Sequence, residues 1–359
     1  MPVTRTPILF LLQFFSKRPK NIVKISYIFD IFAVYEPRTY NGIGKNSLTY
    51  FVKASSGSKP RVYFVGRSQE RGDQIKSELS AINPDGYYEF ISADVSVMAS
   101  VDEVCREIIK KETYLNLLFM SQGTANHAAE TSEKLPLLNA TIYYSKIRFA
   151  VNLIPLLQNA PSLRRVVAVF AAGLEGQVAV DDMDGREISV TRNRDYIASM
   201  TTLALDKLSQ ESPDISWIHD WPGFVKSGLW HSMPGILGVV VRIIMPILGF
   251  FSYMKPEECG QHQVFMATSA RFPPASSEGS SHGLANGVGL VDDLSPAESI
   301  NGKLGGGMYS VNEHGDAIVE KILNLLVNYK KDGTQDKVWQ YTMETFRRVT
   351  GKERLGKNL

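Results

Sequence analysis

The stretch that decides the fold runs from Asn41 to Gly72, NGIGKNSLTYFVKASSGSKPRVYFVGRSQERG. Asn41, Gly42, Ile43 and Gly44 open an amphipathic segment, and an apolar β-type run then ends in Gly66-Arg67-Ser68. The two glycines let backbone N–H groups approach a phosphate, with KNSLTYFVKAS as the helix whose N-terminus faces it. Alone, a GxG is equally compatible with a plain glycine turn. Its context argues for more. Arg67 and Ser68 follow the second strand directly, where the adenosine ribose of a dinucleotide lies in a doubly wound sheet. An acidic side chain there reads a free 2′-hydroxyl, and a basic one accommodates a 2′-phosphate, so Arg67 favours NADP(H). The competing reading is an arginine solvated at a strand end.

Working outward, strand-like and helix-like runs alternate. PRVYFVGRS (60–68) reads as a strand, and QERGDQIKSELSAI (69–82) as a helix with Ile75, Leu79 and Ile82 on one face. Strands are expected in YYEFISADVS, LNLLFMSQG, RRVVAVFAAG and DISWIHDWPGFV, and helices in VMASVDEVCREIIKK, YYSKIRFAVNLIPLL and YIASMTTLALDKLSQES. GDAIVEKILNLLVNYKKDG reads as a further helix leading to DKVWQYTMETFRRVTG. Apolar runs without alternation suit parallel strands covered on both faces, so the class is α/β with an open, doubly wound, Rossmann-type sheet. No internal repeat is present. One domain, residues 37–359, is expected with a C-terminal helical extension, an apolar lid over 229–254 and a flexible loop over 272–290. Residues 1–36 mix aromatic and basic side chains without a clean period and read as an atypical segment, disordered or the product of a misplaced gene start.

Composition narrows the function classes. The chain has 359 residues, 44% apolar and 21% charged, with a formal net charge of +2. No Lys/Arg tract carries interleaved aromatics, which excludes a nucleic-acid footprint. Two distant cysteines, Cys105 and Cys259, make no disulfide framework and favour a reducing, cytoplasmic location. PILFLLQFF (7–15) is short, and ILGVVVRIIMPILGFF (236–251) carries Arg242 and Pro246 in its middle. Spanning a bilayer takes about 20 apolar residues, so the second segment reads as a buried or interfacial helix with peripheral membrane contact at most.

Further strand ends complete the pattern. Asp94 and Val95 stand where a carboxylate can hold an adenine amine, and Ser121, Gln122 and Gly123 stand beside the cofactor ribose. Taken in order, these motifs resemble those of the short-chain dehydrogenases/reductases over roughly Asn41 to Leu229. NGIG resembles the end of the family's TGxxxGIG turn, and VGRSQ its NADP-type second strand. ADVS resembles the adenine-side motif, MSQG the NNAG motif, and WPGFVKSGL, with Pro222 and Gly223, the PGxVxT segment beside the nicotinamide. LNLLFMSQG and DKVWQYTMETFRRVTG further resemble divergent members from fungal secondary-metabolite pathways. The first turn glycine of the family falls six positions before Gly44, where this chain has Arg38. The strand that should precede it, FAVYEPRTY (32–40), is interrupted by Glu36 and Pro37, and proline is out of place in a central parallel strand.

The resemblance implies a tyrosine acid/base, a lysine four residues later, a serine one strand earlier and often an asparagine. The lysine holds the nicotinamide ribose and lowers the tyrosine pKa from about 10 towards neutrality. Here Tyr196 matches the tyrosine, Met200 occupies the lysine position, Ala171 or Ala172 the serine position, and Ile142 lies near that of the asparagine. Tyr196 is the candidate acid, with a packing aromatic as the competing reading. His219, beside Asp220 at a strand end, is the outside candidate; Tyr143 and Tyr144 are further ones. Lys146 reads as solvated or at an interface, and Asp181, Asp182 and Asp184 as an acidic surface turn, with no metal site. The expected activity is NADP(H)-dependent interconversion of ketone and alcohol on a hydrophobic small molecule, in a possible homo-oligomer. The alternatives are a degenerate binding or scaffold protein that keeps the fold, and a non-redox isomerase or cyclase using Tyr196 or His219 as acid.

Overall fold

The computed structural model describes residues 26–30 (backbone only), 42–225, 234–235, 238–239, 254–276, 287–290 and 294–356. Seven strands form one sheet: β1 (Ser26–Asp30), β2 (Arg61–Gly66), β3 (Tyr87–Ser92), β4 (Leu117–Met120), β5 (Arg165–Val169), β6 (Ser216–Asp220) and β7 (Met308–Val311). Their order is β3-β2-β1-β4-β5-β6-β7, and every neighbouring pair is parallel. This is the open, doubly wound sheet expected, with the topological switch between β1 and β4, where such sheets bind ligands.

The first strand corrects the sequence reading. The central position is filled by SYIFD (Ser26–Asp30), not by the interrupted run 32–40, which lies outside the described residues. The sheet therefore starts within the segment set apart as 1–36. Pro37 and Arg38 follow β1 rather than interrupt it, so the objection that proline breaks a central strand no longer applies. β7 and the helix α6 (Pro256–Thr268) were not anticipated at all. β7 is four residues behind a Gly-Gly-Gly run, and α6 places polar residues on buried faces, including Gln263; neither shows the periodicity that reading a sequence depends on.

Helices α1 (Ile43–Ala54), α2 (Gln69–Ile82) and α6 cover one face of the sheet. Helices α3 (Met98–Lys111), α4 (Ser145–Gln158), α5 (Val190–Glu211), α7 (Glu320–Lys331) and α8 (Thr334–Thr350) cover the other. Between two such layers β2, β4, β5 and β6 are buried almost throughout, which is why they read as unbroken apolar runs. Helix α6 lies against α1 with Gly260 at the contact: a Cβ there would sit 2.6 Å from the Tyr50 ring and 2.8 Å from the Asn46 carbonyl oxygen.

The C-terminal helices are bound in by a buried cation. Arg148 on α4 makes two bonds to Asp102, Nε–Oδ1 at 2.6 Å and Nη2–Oδ2 at 2.7 Å. It also donates to Thr350 Oγ1 and to the carbonyls of Lys352 and Glu353 just past α8. Asn152 joins the same carboxylate and accepts from the Leu355 N–H. A buried pair with every donor used resists loss of either partner, because removing one leaves an uncompensated charge.

Among the described residues no helix is long and apolar enough to cross a membrane. The lid expected over 229–254 and the middle of the loop expected over 272–290 lie largely outside those residues.

Candidate functional site

The carboxyl ends of parallel strands all open on one rim, and this topology carries most of the expected residues there. Gly42 caps α1 and accepts from the Asn46 N–H at 3.1 Å; α1 has no side-chain cap and no acid in its first turn. Asn41 lies outside the described residues, Ile43 is the first residue of α1, and Gly44 is buried one residue on. Arg67 follows β2 and is exposed. Ser68 acts locally, its hydroxyl capping α2 by accepting from the Arg71 N–H at 3.3 Å. Asp94 follows β3, and its Oδ1 accepts from the Ser96 N–H and hydroxyl at 3.0 and 2.7 Å. Val95 is buried.

At the end of β4, Ser121 and Gly123 are partly exposed and Gln122 is buried. The Gln122 Nε2 donates to Ser145 Oγ at 3.0 Å, while its Oε1 is buried without a partner. Ser145 begins α4 directly after a π-helical turn, Ala140–Tyr144, the kind of local unwinding that recurs at functional sites. The next residue overturns a sequence reading. Lys146 is fully buried, not solvated, and its Nζ donates to the Val169 carbonyl at 2.8 Å, with the Phe170 ring 5.5 Å away. It brings a cation to the end of β5. Tyr143 and Tyr144 turn into the core instead: Tyr143 bonds Thr342 at 2.6 Å, and burial pushes both hydroxyls well above the ordinary tyrosine range.

Tyr196 stands on α5, but its hydroxyl donates to the Met183 carbonyl at 2.6 Å in the acidic turn, and the side chain is 1% exposed. Burial, with Tyr143, Asp182 and Asp184 around it, raises its pKa far above 10. The hydroxyl thus stitches the 182–183 turn to α5. The turn is organised around Asp182, whose carboxylate accepts from the Arg186 and Glu187 N–H groups at 3.0 and 2.7 Å.

His219 is likewise occupied on both ring nitrogens. Nε2 accepts from the Ala171 N–H at 3.3 Å, which places the ring proton on Nδ1. Nδ1 lies 2.7 Å from Thr202 Oγ1, whose own proton goes to Glu175 Oε1 at 2.7 Å. Ser310 on β7 donates to the same oxygen. Burial lowers the His219 pKa against the opposing pull of Glu175, so the ring is neutral. Burial alone would raise Glu175, but the bonds from His219, Ser310 and Thr202 outweigh it and keep the carboxyl ionised. This chain ties β6, β7 and α5 together and reaches the Ala171 N–H just past β5.

Asp220, one residue on, faces the opposite side of the sheet and accepts from Gln263 Nε2 on α6 at 2.6 Å. Pro222 is buried and Gly223 takes φ +71°, with Glu313 close enough that a Cβ would meet it at 3.3 Å. Beyond them Trp221 and the exposed Phe224 stack edge to face at 5.8 Å. Met254 donates its N–H to the Phe224 carbonyl at 2.8 Å and bridges Val225, so the chain comes back to this rim at Met254.

Sequence reasoning therefore reached Gly42, Arg67, Asp94, Gln122, Gly123, Pro222 and Gly223 on one rim. It missed Glu175, Thr202, Gln263 and Ser310, which lie on separate elements with no shared spacing. It had YYSK in view and misjudged only how deeply Lys146 is buried.

No family model matches the chain. Curated relatives do. An oxidoreductase of Emericella variicolor, andH, is 33% identical over 313 residues, 87% of this chain and 90% of its own. The short-chain dehydrogenase/reductase SAT2 of Stachybotrys chartarum is 32% identical over 317 residues, 83% of this chain and 86% of its own. Among solved structures, the KRED1-Pglu enzyme aligns with a TM-score of 0.51 at 12% identity, over 74% of this chain and 100% of that one, a likeness of fold alone. The relatives cover more than four fifths of the chain at 33% and 32% identity: the chain belongs to the short-chain dehydrogenases/reductases.

Proposed function

We propose that the chain is an NADP(H)-dependent oxidoreductase that interconverts ketone and alcohol on a hydrophobic small molecule of fungal secondary metabolism. The single observation that carries the cofactor half is the pairing of an uncapped α1 at Gly42 with an exposed basic residue, Arg67, at the end of β2. The neighbouring helix α2 has its cap in Ser68, whereas the first N–H groups of α1 suit a pyrophosphate, supported by the positive end of the helix dipole. Arg67 would hold the 2′-phosphate, Asp94 and Val95 border the adenine, and Ser121 to Gly123 with Pro222 and Gly223 flank the nicotinamide end.

When bound, the nicotinamide supplies or takes the hydride. The chain's own part is to bind, to orient and to handle the proton at the carbonyl oxygen. Tyr196 cannot donate that proton without giving up Met183, and neutral His219 keeps its one ring proton on Nδ1 towards Thr202. Lys146 brings a buried cation to the Val169 carbonyl at the end of β5, two residues before Ala171. The apolar rim at Trp221 and Phe224, at the mouth of the apolar 229–254 segment, supports a greasy substrate.

A second reading rests on the Tyr196–Met183 bond: a binding protein that keeps the cofactor site without turnover. One experiment separates the two. Purified protein is titrated with NADPH and NADH by fluorescence, then offered a panel of hydrophobic ketones. NADPH consumption supports the oxidoreductase, tight NADPH binding with no consumption supports the binding protein, and failure to bind NADPH sinks both.

A further inference from the structure

Asp220 and Gln263 present an unusual imbalance. Both are buried, 0% and 1% exposed, and they meet through a single bond, Gln263 Nε2 to Asp220 Oδ2 at 2.6 Å. Carboxyl and carboxamide are flat groups with two polar atoms each, so a second bond can close beside the first. Those ends are Asp220 Oδ1 and Gln263 Oε1, and both are buried with no hydrogen-bond partner. With Asp220 ionised, two acceptors stay buried without a donor, and each loses its hydration without compensation. One proton on Oδ1 removes both deficits, since the acid O–H then donates to the amide oxygen while the amide N–H donates to the acid.

We infer that Asp220 is held as the neutral carboxylic acid, in a reciprocal pair with the Gln263 amide that fixes the end of β6 to α6. Its surroundings agree. Glu313, beyond β7, adds negative charge on one side, Cys259 of α6 is a thiol that burial keeps protonated, and Lys146 from α4 pulls the other way. Burial is the largest influence; it outweighs the bond donated by Gln263, which by itself favours the ionised form, and the carboxyl is pushed up to about 7.

The pair makes Asp220 a positioning residue, a role that rests on the cofactor reading above. Asp220 lies two residues before Pro222, and α6 packs on α1, the helix that begins at Gly42. One proton thereby couples the two ends of the rim. The sign follows from a folded value above the ordinary 3.8: the stabilisation is complete at acid pH and disappears as pH rises through about 7.

The test compares the wild type with Asp220→Asn, whose amide reproduces the reciprocal pair at every pH, and with Gln263→Met, which cannot form it. Melting temperatures are followed between about pH 5 and pH 8, where the shifted carboxyl titrates. The wild type should lose stability relative to Asp220→Asn as pH rises, and infrared difference spectra at acid pH should show a protonated carboxyl that Asp220→Asn lacks. Parallel melting profiles, or no such carboxyl, overturn the pair. NADPH affinity should fall with rising pH in the wild type and stay level in Asp220→Asn. Equal pH dependence in both overturns the positioning role while the pair stands. If NADPH binds neither protein, the cofactor reading fails, and the melting and infrared results still decide the pair.

Discussion

The two halves of the rim differ in what their side chains meet. Beside β2, β3 and β4, Arg67 is exposed and Asp94, Ser121 and Gly123 are partly exposed. Beside β5 and β6, Ala171, Tyr196, His219 and Asp220 are at most 2% exposed, and the three polar ones each bond an internal partner. In the reading proposed above, the first half would meet the cofactor mostly through chain ends: a helix N-terminus, glycines and one basic residue. The second would rely on side-chain chemistry, and the candidates there are buried. A site made from backbone geometry survives as long as the fold does, whereas one made from four side chains can be lost by substitution with the fold unchanged.

The comparison can be broken at several points. The largest effect is expected from Arg148→Met, which strands Asp102 behind the closed half. Urea unfolding should show a loss of about 3–5 kcal/mol; a loss under about 1 kcal/mol would mean that the C-terminal helices are held some other way.

Next comes Arg67→Ala on the open half. Losing a bond to a charged group is worth about 1.5–3 kcal/mol, so NADPH affinity should drop by about 10- to 100-fold with NADH affinity unchanged. An equal drop for both cofactors would mean that Arg67 does not read the 2′-phosphate.

Thr202→Val keeps the volume of the side chain but cuts the link between His219 and Glu175. Thermal unfolding should reveal a cost of about 1–3 kcal/mol, the penalty for unsatisfied buried groups. No change in stability would show that the chain through Ser310 suffices.

Tyr196→Phe should have the smallest effect, about 1 kcal/mol of stability for one lost hydrogen bond, with NADPH binding and any turnover unaltered. A fall in turnover of about 10²–10⁴-fold would instead restore Tyr196 as the acid and erase the contrast between the halves.

How far the molecule was legible follows from the same division. The helix 69–82 was read to the residue, because Ile75 and Leu79 repeat at helical spacing and Ser68 signals its start. Strands β2, β4, β5 and β6 were legible as apolar runs because layers on both faces demand it. The first strand was misplaced: SYIFD is only five residues, no flanking turn signals mark it, and the spacing of the family's turn drew the assignment to FAVYEPRTY. Lys146 shows the limit for side chains. Lysine in an amphipathic helix is ordinarily solvated, and nothing in YYSK says that its helix is covered on every side.

The sequence by itself determined the fold class, the family and the order of the strand-end motifs, because these depend on period and on residues adjacent in the chain. Only the tertiary structure decided which polar groups remain accessible. The Tyr196 hydroxyl finds the Met183 carbonyl, Asp220 finds Gln263, and His219 finds Thr202, each across elements far apart in sequence. Burial and hydrogen-bond partnership are properties of the packed interior, and no local pattern encodes them.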